Sequence, residues 1–252
     1  DALPISSEAK SLDERFDNAG LLTAVMSIEP LEATLATYED IKNAVAEEPP
    51  AFLPVLKELG DIINEDNVRW STLGQTIEKD EQLTRRLIEV INSRYIPIPT
   101  QVKSVSHAAS LLTTPRLLDL AMTVGLYNVF DRPPFNRIEL LDPVDYVRHS
   151  AMAGAIARVI ATETEVKGIR PFQAVVASSL HDIGIYVLGT VVPKTYRAIL
   201  KRQSLLKKSL VATEREVLGC DHADIGSMFL SILGFSPPIV EAVAVHHLSV
   251  DE

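Results

Sequence analysis

Residues 171–188 read PFQAVVASSLHDIGIYVL, a long apolar stretch that contains one histidine-aspartate pair, His181-Asp182. Pro171 opens the stretch and Pro193 follows it, and proline is tolerated at the start of a helix but not in its interior. We therefore predict a single helix over residues 171–188 that includes the pair. An imidazole next to a carboxylate can ligate one metal ion or bridge two, so this helix carries the first candidate site.

The rest of the second half repeats the helical pattern. A helix is predicted over residues 142–164, where Val147, Ala151, Ala155 and Val159 recur every four residues. Strict two-residue alternation, the pattern of a half-buried strand, is almost absent. Three further helices are predicted: one that begins at Pro193, one over residues 213–233, and one from Pro237-Pro238 to His246-His247.

The first half shows the same periodicity over residues 50–135, with Asp80 in position to cap a helix. Proline-rich turns at residues 96–99 (IPIP) and 132–134 (RPP) separate the predicted helices. The sequence therefore predicts an all-α, multi-helix bundle, in which a helical front half precedes a helical core over residues 142–247.

The acidity of the chain is concentrated near its N-terminus. Residues 1–50 hold eleven acidic and three basic side chains, whereas the remaining residues hold 23 and 21, for a net charge of -10. Because the main body has no broad basic face, we expect no duplex nucleic acid as a partner. We expect residues 1–49 to lie outside the main domain as an acidic segment, with a polar tail over residues 1–18. An amphipathic helix follows, whose apolar positions are Leu31, Leu35, Tyr38, Ile41 and Val45.

Cysteine content and hydropathy indicate a cytoplasmic protein. Cys220 is the only cysteine, so no intramolecular disulfide can form, as is usual in a reducing compartment. The chain shows no signal peptide, and the apolar run Ile183–Pro193 is shorter than the roughly 20 residues that span a bilayer. We therefore predict no membrane association. Because the chain does not begin with Met, we expect it to be a processed or excised piece.

Five of the six histidines lie in the second half, each on a predicted helix or at its end. With neighbouring carboxylates they form a ligand set for iron, manganese, zinc or nickel, and such a metal could activate water for attack on phosphorus. The alternative is a set of packed core histidines that hydrogen-bond one another or water. In either case we expect the histidines and Asp182 to converge on one pocket. The candidate ligands are His149, His181, Asp182, His222, His246, His247 and Asp145.

The order of these residues resembles the signature of the HD superfamily of metal-dependent phosphohydrolases. A lone histidine comes first, followed by HDIG, another lone histidine and a histidine pair. The front half resembles the HDOD family, which joins such a segment to an HD-like core, over roughly residues 50–247. Its matching elements are Leu53-Pro54, Asp80, the LTRRL stretch 83–87, Asn92-Ser93, Pro99 and Ser104.

The HDOD resemblance implies a bacterial signal-transduction output module that acts through protein contacts without catalysis. It implies signalling proteins, or an attached sensory or receiver domain, as partners. The diesterase relatives carry a Gly-Tyr-Pro element and a distal aspartate ligand that have no match here, since Asp251 lies too near the chain end. The alternative is a metal-dependent phosphohydrolase acting on a nucleotide or cyclic dinucleotide, because the histidine and aspartate set is otherwise intact.

Weaker signals come from three other features. Lys194, Arg197 and Lys201 share one face of a predicted helix, where they could bind phosphate or form an ordinary solvated face. Cys220 lies two residues before His222, but we expect a buried and inert thiol. We expect Gly184 and Gly226 to allow close packing of helices beside the site.

Overall fold

A computed structural model describes residues 36–48, 54–62, 70–131, 133, 135–137, 141–164 and 170–248. These residues form thirteen α-helices and a short 3-10 helix, Phe135–Arg137, with no strand among them, which confirms the predicted all-α fold. In chain order the α-helices are α1 Tyr38–Glu47, α2 Pro54–Ile62, α3 Trp70–Glu78, α4 Glu81–Ile91, α5 Val105–Leu111, α6 Thr114–Phe130, α7 Pro143–Glu163, α8 Pro171–Leu180, α9 Ile183–Val191, α10 Pro193–Leu206, α11 Leu210–Leu218, α12 His222–Ile232 and α13 Pro237–Val245.

The apolar stretch that opened the sequence analysis forms two helices, so the prediction of one continuous helix was wrong. His181 and Asp182 form the turn between α8 and α9. Nδ1 of His181 lies 2.7 Å from the Ser178 carbonyl, and the Ile185 N–H donates to the Asp182 carbonyl at 2.9 Å. The pair therefore occupies a junction between helices, from which both side chains can point to one centre.

The predicted helix over residues 213–233 is also divided, into α11 and α12. Gly219 ends α11 in the left-handed conformation (φ 72°), which a right-handed helix cannot continue. Asp221 then caps α12, because its carboxylate accepts hydrogen bonds from the N–H groups of Ala223 and Asp224. The break makes His222 the first residue of α12.

The front half and the second half share one hydrophobic core. A single cluster of buried side chains extends from Leu83 in α4 to Ile225 in α12. Helix α6 joins the halves, since it packs on α4 and also on α7 and α8. At its end the ring of Phe130 lies 4.2 Å from that of Tyr146 and 5.3 Å from that of Tyr186, measured between centroids.

Helix α1 packs on α9 and α12, and it buries Ile41 and Val45 in the common core. It begins at Tyr38 because Thr37 caps it in a reciprocal arrangement with Asp40. The predicted helical positions Leu31 and Leu35, the tail over the first 18 residues and Pro49-Pro50 lie outside the described residues. Helix α1, the described part of the segment that precedes the main domain in sequence, thus packs against helices of the second half.

Helix α7 matches its predicted bounds but not its predicted buried face. Val147 is buried, whereas Val159 is 61% exposed. Four residues of an α-helix turn 400°, so a four-residue repeat moves about 40° around the axis at each step. Over twelve residues the stripe therefore leaves the core, and the C-terminal half of α7 exposes apolar side chains.

Residues 171–191 meet the length and hydropathy of a membrane span, although the run Ile183–Pro193 alone does not. Within these residues, 67% of the 18-residue stretch that is apolar enough to span a membrane is buried inside the protein. The turn at His181-Asp182 also divides residues 171–191 into two helices. Core helices of soluble proteins have this same character, and α8 and α9 occupy such a position here.

Helices α9 and α12 approach each other so closely that only glycine fits between them. A Cβ atom added to Gly184 would lie 1.9 Å from the carbonyl oxygen of His222 and 2.8 Å from the amide nitrogen of Gly226. Both neighbours are backbone atoms, which cannot rotate away. The sequence-based expectation that these glycines permit close packing is confirmed.

We expect the substitution Gly184→Ala to lower the free energy of unfolding by about 3 kcal/mol or more, because α9 and α12 must separate to admit the methyl group. The matched control is Gly74→Ala in α3, where the nearest atom to an added Cβ is 3.6 Å away. Alanine there should be neutral or stabilise by up to about 1 kcal/mol. Urea unfolding followed by circular dichroism measures both, and equal stability of the two variants would contradict the packing argument.

Candidate metal centre

The predicted ligands come from four places in the fold. His149 lies on α7, the His181-Asp182 pair forms the α8–α9 turn, and His222 begins α12. His246 and His247 follow the last residue of α13. Helix packing joins these places, since α7 contacts α8, α9 contacts α12, and α13 contacts both α8 and α12.

Asp182 lies at the centre of the cluster. Its Oδ2 atom is 3.1 Å from Nε2 of His181 and 3.4 Å from Nε2 of His149. Its other oxygen, Oδ1, is 3.3 Å from Nε2 of His222 and 3.6 Å from Nε2 of His246. One carboxylate therefore faces two groups of imidazoles, one on each oxygen.

The ligand atoms fall into two groups with the spacing of metal sites. One group is His149, His181 and Asp182, and the other is Asp182, His222, His246 and His247. Within each group the ligand atoms lie within 4.8 Å of one another. Asp182 belongs to both groups, which is the position of a bridging carboxylate.

Hydrogen bonds on the outer side fix the tautomers of three imidazoles. Nδ1–H of His181 donates to the Ser178 carbonyl and Nδ1–H of His246 donates to the Val243 carbonyl, both at 2.7 Å. Nδ1–H of His222 donates to the Glu214 carboxylate at 2.6 Å. In the neutral rings the lone pair is then on Nε2, the atom that faces Asp182. Metal-ligating histidines are usually held in this way.

The inward nitrogen atoms lie so close together that a proton or a metal ion must lie between them. Nε2 of His247 lies 2.7 Å from Nε2 of His222, and Nε2 of His149 lies 3.0 Å from Nε2 of His181. Two lone pairs at such distances repel unless a proton or a metal ion lies between them. The buried Nε2 atom of His246 has no hydrogen-bond partner in the described part of the chain. Imidazole and carboxylate donors around these atoms fit a divalent metal ion.

Electrostatics in the cluster also favour positive charge. Burial alone would raise the pKa of Asp182, but the neighbouring imidazoles of His181, His222 and His246 hold that pKa well below its usual range. Burial opposes protonation of His222, yet hydrogen bonds to Asp182 and Glu214 raise its pKa to about 10. Burial and the neighbouring positive charges of His246 and His222 lower the pKa of His247 to about 4. The centre thus favours positive charge on His222 and disfavours it on His247.

Glu214 is the functional candidate that sequence reasoning missed. It is completely buried on α11 and accepts hydrogen bonds from the Tyr196 hydroxyl at 2.8 Å and the His222 N–H at 3.0 Å, besides His222 Nδ1. These contacts orient His222 toward Asp182. The only sequence signal is an acidic residue between the buried positions Thr213 and Leu218 of the helix.

Asp145 does not join the cluster, although it lies one turn before His149. Its Oδ1 atom accepts from Arg148 at 2.7 Å, and both side chains are more than 60% exposed. The four-residue spacing places it near His149 along α7, but its carboxylate pairs at the surface. The site therefore contains six of the seven residues that the sequence analysis named.

Three basic side chains of α10 are exposed to solvent, unlike the side chains of the histidine-aspartate cluster, which hold one another in place. Lys194, Arg197 and Lys201 are exposed, and within the described ranges no hydrogen bond or ion pair holds them. The neighbouring Arg202 and Lys208 both pair with Glu216. The structure thus places the three predicted phosphate-binding residues on a solvated helix face.

Cys220 is buried, and its thiol is poorly suited to redox chemistry. Burial and the negative charges of Asp224, Asp221 and Glu214 raise its pKa to about 12. The reactive thiolate is therefore rare at neutral pH. Asp251, the weak candidate for a distal ligand, lies outside the described residues.

A cavity of about 480 Å³ opens on one side of the cluster. Asp182, His222 and His247 contribute its polar wall, and the remaining wall comes from α9 and the start of α11. The second ligand group thus faces a volume that a small molecule could enter, with apolar side chains opposite. The other lining residues are Ile185, Ser209, Leu210 and Val211.

Comparison with known proteins gives a family and a fold. The model of the HDOD domain matches residues 50–249. The crystal structure of an HDOD domain protein of unknown function from Geobacter sulfurreducens aligns at a TM-score of 0.67 and 21% identity, over 83% of this chain and 70% of that chain. A protein from Shewanella amazonensis SB2B, provisionally named a phosphohydrolase, aligns at 0.65 and 20% identity, over 84% and 73%. No curated protein matches the chain.

The all-helical fold and the histidine-aspartate cluster define a protein of the HD type. Because the matching model covers most of the sequence, this chain belongs to the HDOD family. The resemblance found in the sequence over residues 50–247 is thereby confirmed. At 20–21% identity the two solved structures establish the fold alone.

We expect Glu214→Gln to lower the free energy of unfolding by about 1–3 kcal/mol, because an amide cannot accept the three hydrogen bonds that the buried carboxylate accepts. The control is Glu216→Gln on the same helix, an exposed residue paired with Arg202 and Lys208. It should cost less than about 1 kcal/mol. Urea unfolding of the chelator-treated proteins compares them. A Glu214→Gln variant as stable as the control would show that Glu214 does not hold His222.

Proposed function

We propose that this chain is an HDOD signalling module that binds divalent metal ions and acts through protein contacts without catalysis. The observation that carries the proposal is the position of α1. This helix precedes the family domain in sequence, yet it packs on α9 and α12. Those two helices begin immediately after Asp182 and at His222, so movement of α1 would move the centre of the cluster.

The coupling proceeds through rigid elements. Ile41 and Val45 are fully buried between α1 and the core, so α1 cannot shift without repacking its neighbours. The Gly184 contact holds α9 against α12 and leaves little freedom between Asp182 and His222. A signal that repositions α1 would therefore change metal affinity, and metal binding would in turn change the position of α1.

The metal completes this arrangement. His149, His181 and Asp182 would hold one ion, and His222, His246 and His247 would hold a second with Asp182 between them. Iron, manganese, zinc and nickel suit this donor set. A bound metal supplies Lewis acidity and lowers the pKa of water. In the signalling role, the metal would offset the negative charge of Asp182. It would also hold together the four segments of the fold that carry the ligands.

The proposed partners are signalling proteins in the cytoplasm, or a sensory or receiver domain attached before α1. The solitary Cys220, which has no second cysteine to pair with in this sequence, supports a reducing compartment. Residues 1–50 carry eleven acidic and three basic side chains, which suits a partner with a basic surface.

A second candidate function is supported by the cavity beside the cluster. A metal-dependent phosphohydrolase needs a volume next to its metal for a nucleotide or a cyclic dinucleotide, and the cavity of about 480 Å³ borders Asp182, His222 and His247. In that case His222 and His247 would face the phosphate group. The apolar side chains Ile185 and Leu210 would face the base.

We expect the purified protein to bind two divalent ions per chain, one in each ligand group. His149→Ala should retain one ion, because this exposed residue belongs to one group only, whereas Asp182→Asn should retain none. His107→Ala, which alters the one histidine outside the cluster, is the control and should retain both. Elemental analysis after loading with Mn²⁺ or Zn²⁺ measures the stoichiometry.

The same loaded proteins distinguish the two functions. The signalling proposal expects no hydrolysis of bis(p-nitrophenyl) phosphate or cyclic dinucleotides. Turnover that Asp182→Asn abolishes and His107→Ala retains would establish the hydrolase instead. If the protein takes up no metal during loading and still has normal stability, neither of the two functions can depend on a bound metal.

We expect metal binding to slow hydrogen exchange in α1, although no predicted ligand lies on that helix. Ile41→Ala should weaken Mn²⁺ binding by roughly 10-fold, the range of ordinary coupling energies. The control is Val90→Ala, a partly exposed residue of α4. Hydrogen exchange with mass spectrometry, and Mn²⁺ titration of each variant, measure the two effects. Protection limited to α9 and α12, with unchanged affinity in Ile41→Ala, would refute the coupling.

A further inference from the structure

Glu214 lies directly behind one of the candidate ligands, and its side chain is completely buried. Its Oε2 atom accepts hydrogen bonds from Nδ1–H of His222 at 2.6 Å and from the backbone N–H of the same residue at 3.0 Å. Its Oε1 atom accepts from the hydroxyl group of Tyr196 at 2.8 Å. Both oxygen atoms of this carboxylate are therefore held, and one of them is aimed at the imidazole.

The two ligand groups, called the first (with His149) and the second (with His247) below, match each other in most respects. Each group has one exposed histidine, which is His149 in the first and His247 in the second. Each also has one histidine whose outer nitrogen donates to a backbone carbonyl, which is His181 in the first and His246 in the second. Asp182 is common to both groups. These shared features give neither group an advantage in binding a metal ion.

The difference between the groups is the pair of His222 and Glu214, which belongs to the second. His222 adds a third imidazole to that group, and its side chain is 3% exposed. A carboxylate on the outer nitrogen raises the basicity of a ligating imidazole and fixes its orientation. The backbone carbonyls behind His181 and His246 are neutral acceptors, and hydrogen bonds to neutral acceptors are weaker. His222 is therefore the best-prepared ligand of the cluster.

The charges around His222 favour the same group. Nε2 of His222 lies 3.3 Å from Oδ1 of Asp182, so this imidazole stands between two carboxylates, whereas the first group has Asp182 alone. Among the described residues, no lysine or arginine pairs with Asp182 or Glu214. Because the site is largely buried, attraction between these carboxylates and a divalent ion is screened less than at the surface.

We propose that Glu214 makes the second group the tighter of the two metal sites, so that the ion held there is the first to enter and the last to leave. Glu214 acts through His222 and is a positioning residue, since it does not itself face the metal. The inference rests on the metal binding proposed above and adds the order of filling. The first group, which includes His149 of α7, would then be the site whose occupancy changes with the metal supply.

Titration of the chelator-treated full chain with Mn²⁺, followed by the electron paramagnetic resonance signal of the unbound ion, measures both affinities. We expect two steps whose dissociation constants differ by roughly 10-fold or more. Glu214→Gln should weaken the tight step by roughly 10- to 100-fold, the usual effect of removing such a carboxylate, and leave the weak step unchanged. Glu216→Gln, the same change at an exposed position of α11, is the control and should leave both steps unchanged.

Tyr196→Phe separates the charge of Glu214 from its structural role. This variant removes the hydrogen bond to Oε1 but keeps the carboxylate behind His222, so it should weaken the tight step far less than Glu214→Gln does. If Glu214 only supported the fold, both variants would weaken both steps in proportion to the stability that they lose. That result would overturn the proposal.

Two ligand variants test the order of filling even if Glu214→Gln does not fold. His149→Ala should retain the tight step and lose the weak one, whereas His247→Ala, at an equally exposed histidine class, should weaken the tight step and spare the weak one. The reverse assignment, or a tight step that Glu214→Gln leaves unchanged, would overturn this inference while metal binding stands. A chain that takes up no Mn²⁺ would overturn it together with the metal binding in the proposed function.

Discussion

The contact between Gly184 and the carbonyl group of His222 is the constraint on which the site depends. It holds α9 and α12 at a separation that no side chain larger than glycine permits. Asp182 precedes α9 by one residue and His222 begins α12, so the same contact sets the 3.3 Å distance between the carboxylate and the imidazole. The remaining ligands assemble around this pair through the packing of α7 on α8 and of α13 on α8 and α12.

The cluster combines close packing with unfavourable electrostatics. Carbonyl groups and Glu214 fix the outer nitrogen atoms of His181, His222 and His246, which directs the inner nitrogen atoms toward Asp182 and toward one another. Desolvation makes such an arrangement costly unless positive charge is present. A bound cation would relieve this cost, and this supports the proposal that the cluster is a metal-binding site rather than core packing.

Helix α1, which lies outside the cluster, and helix α7, which carries one of its ligands, give the fold its proposed signalling character. Helix α1 lies before the family domain in sequence but packs on the helices of the centre, and α7 carries His149 beside an exposed apolar strip. An input at α1 would thus reach the cluster, including His149 on α7, through one packed core. Since interiors are close-packed, small displacements at one end must be accommodated at the other.

The sequence by itself determined the helical class, the bounds of α7, the start of α10, and the identity and order of the six clustered ligands. These features are local, because periodicity, capping residues and side-chain chemistry can be read within a few residues. Only the tertiary structure decided the helix breaks at His181-Asp182 and Gly219, the central place of Asp182, and the role of Glu214. It also decided that Asp145 pairs at the surface and that Val159 faces solvent. The central place of Asp182, the role of Glu214 and the exposure of Val159 depend on contacts between different helices, and no local pattern reports such contacts.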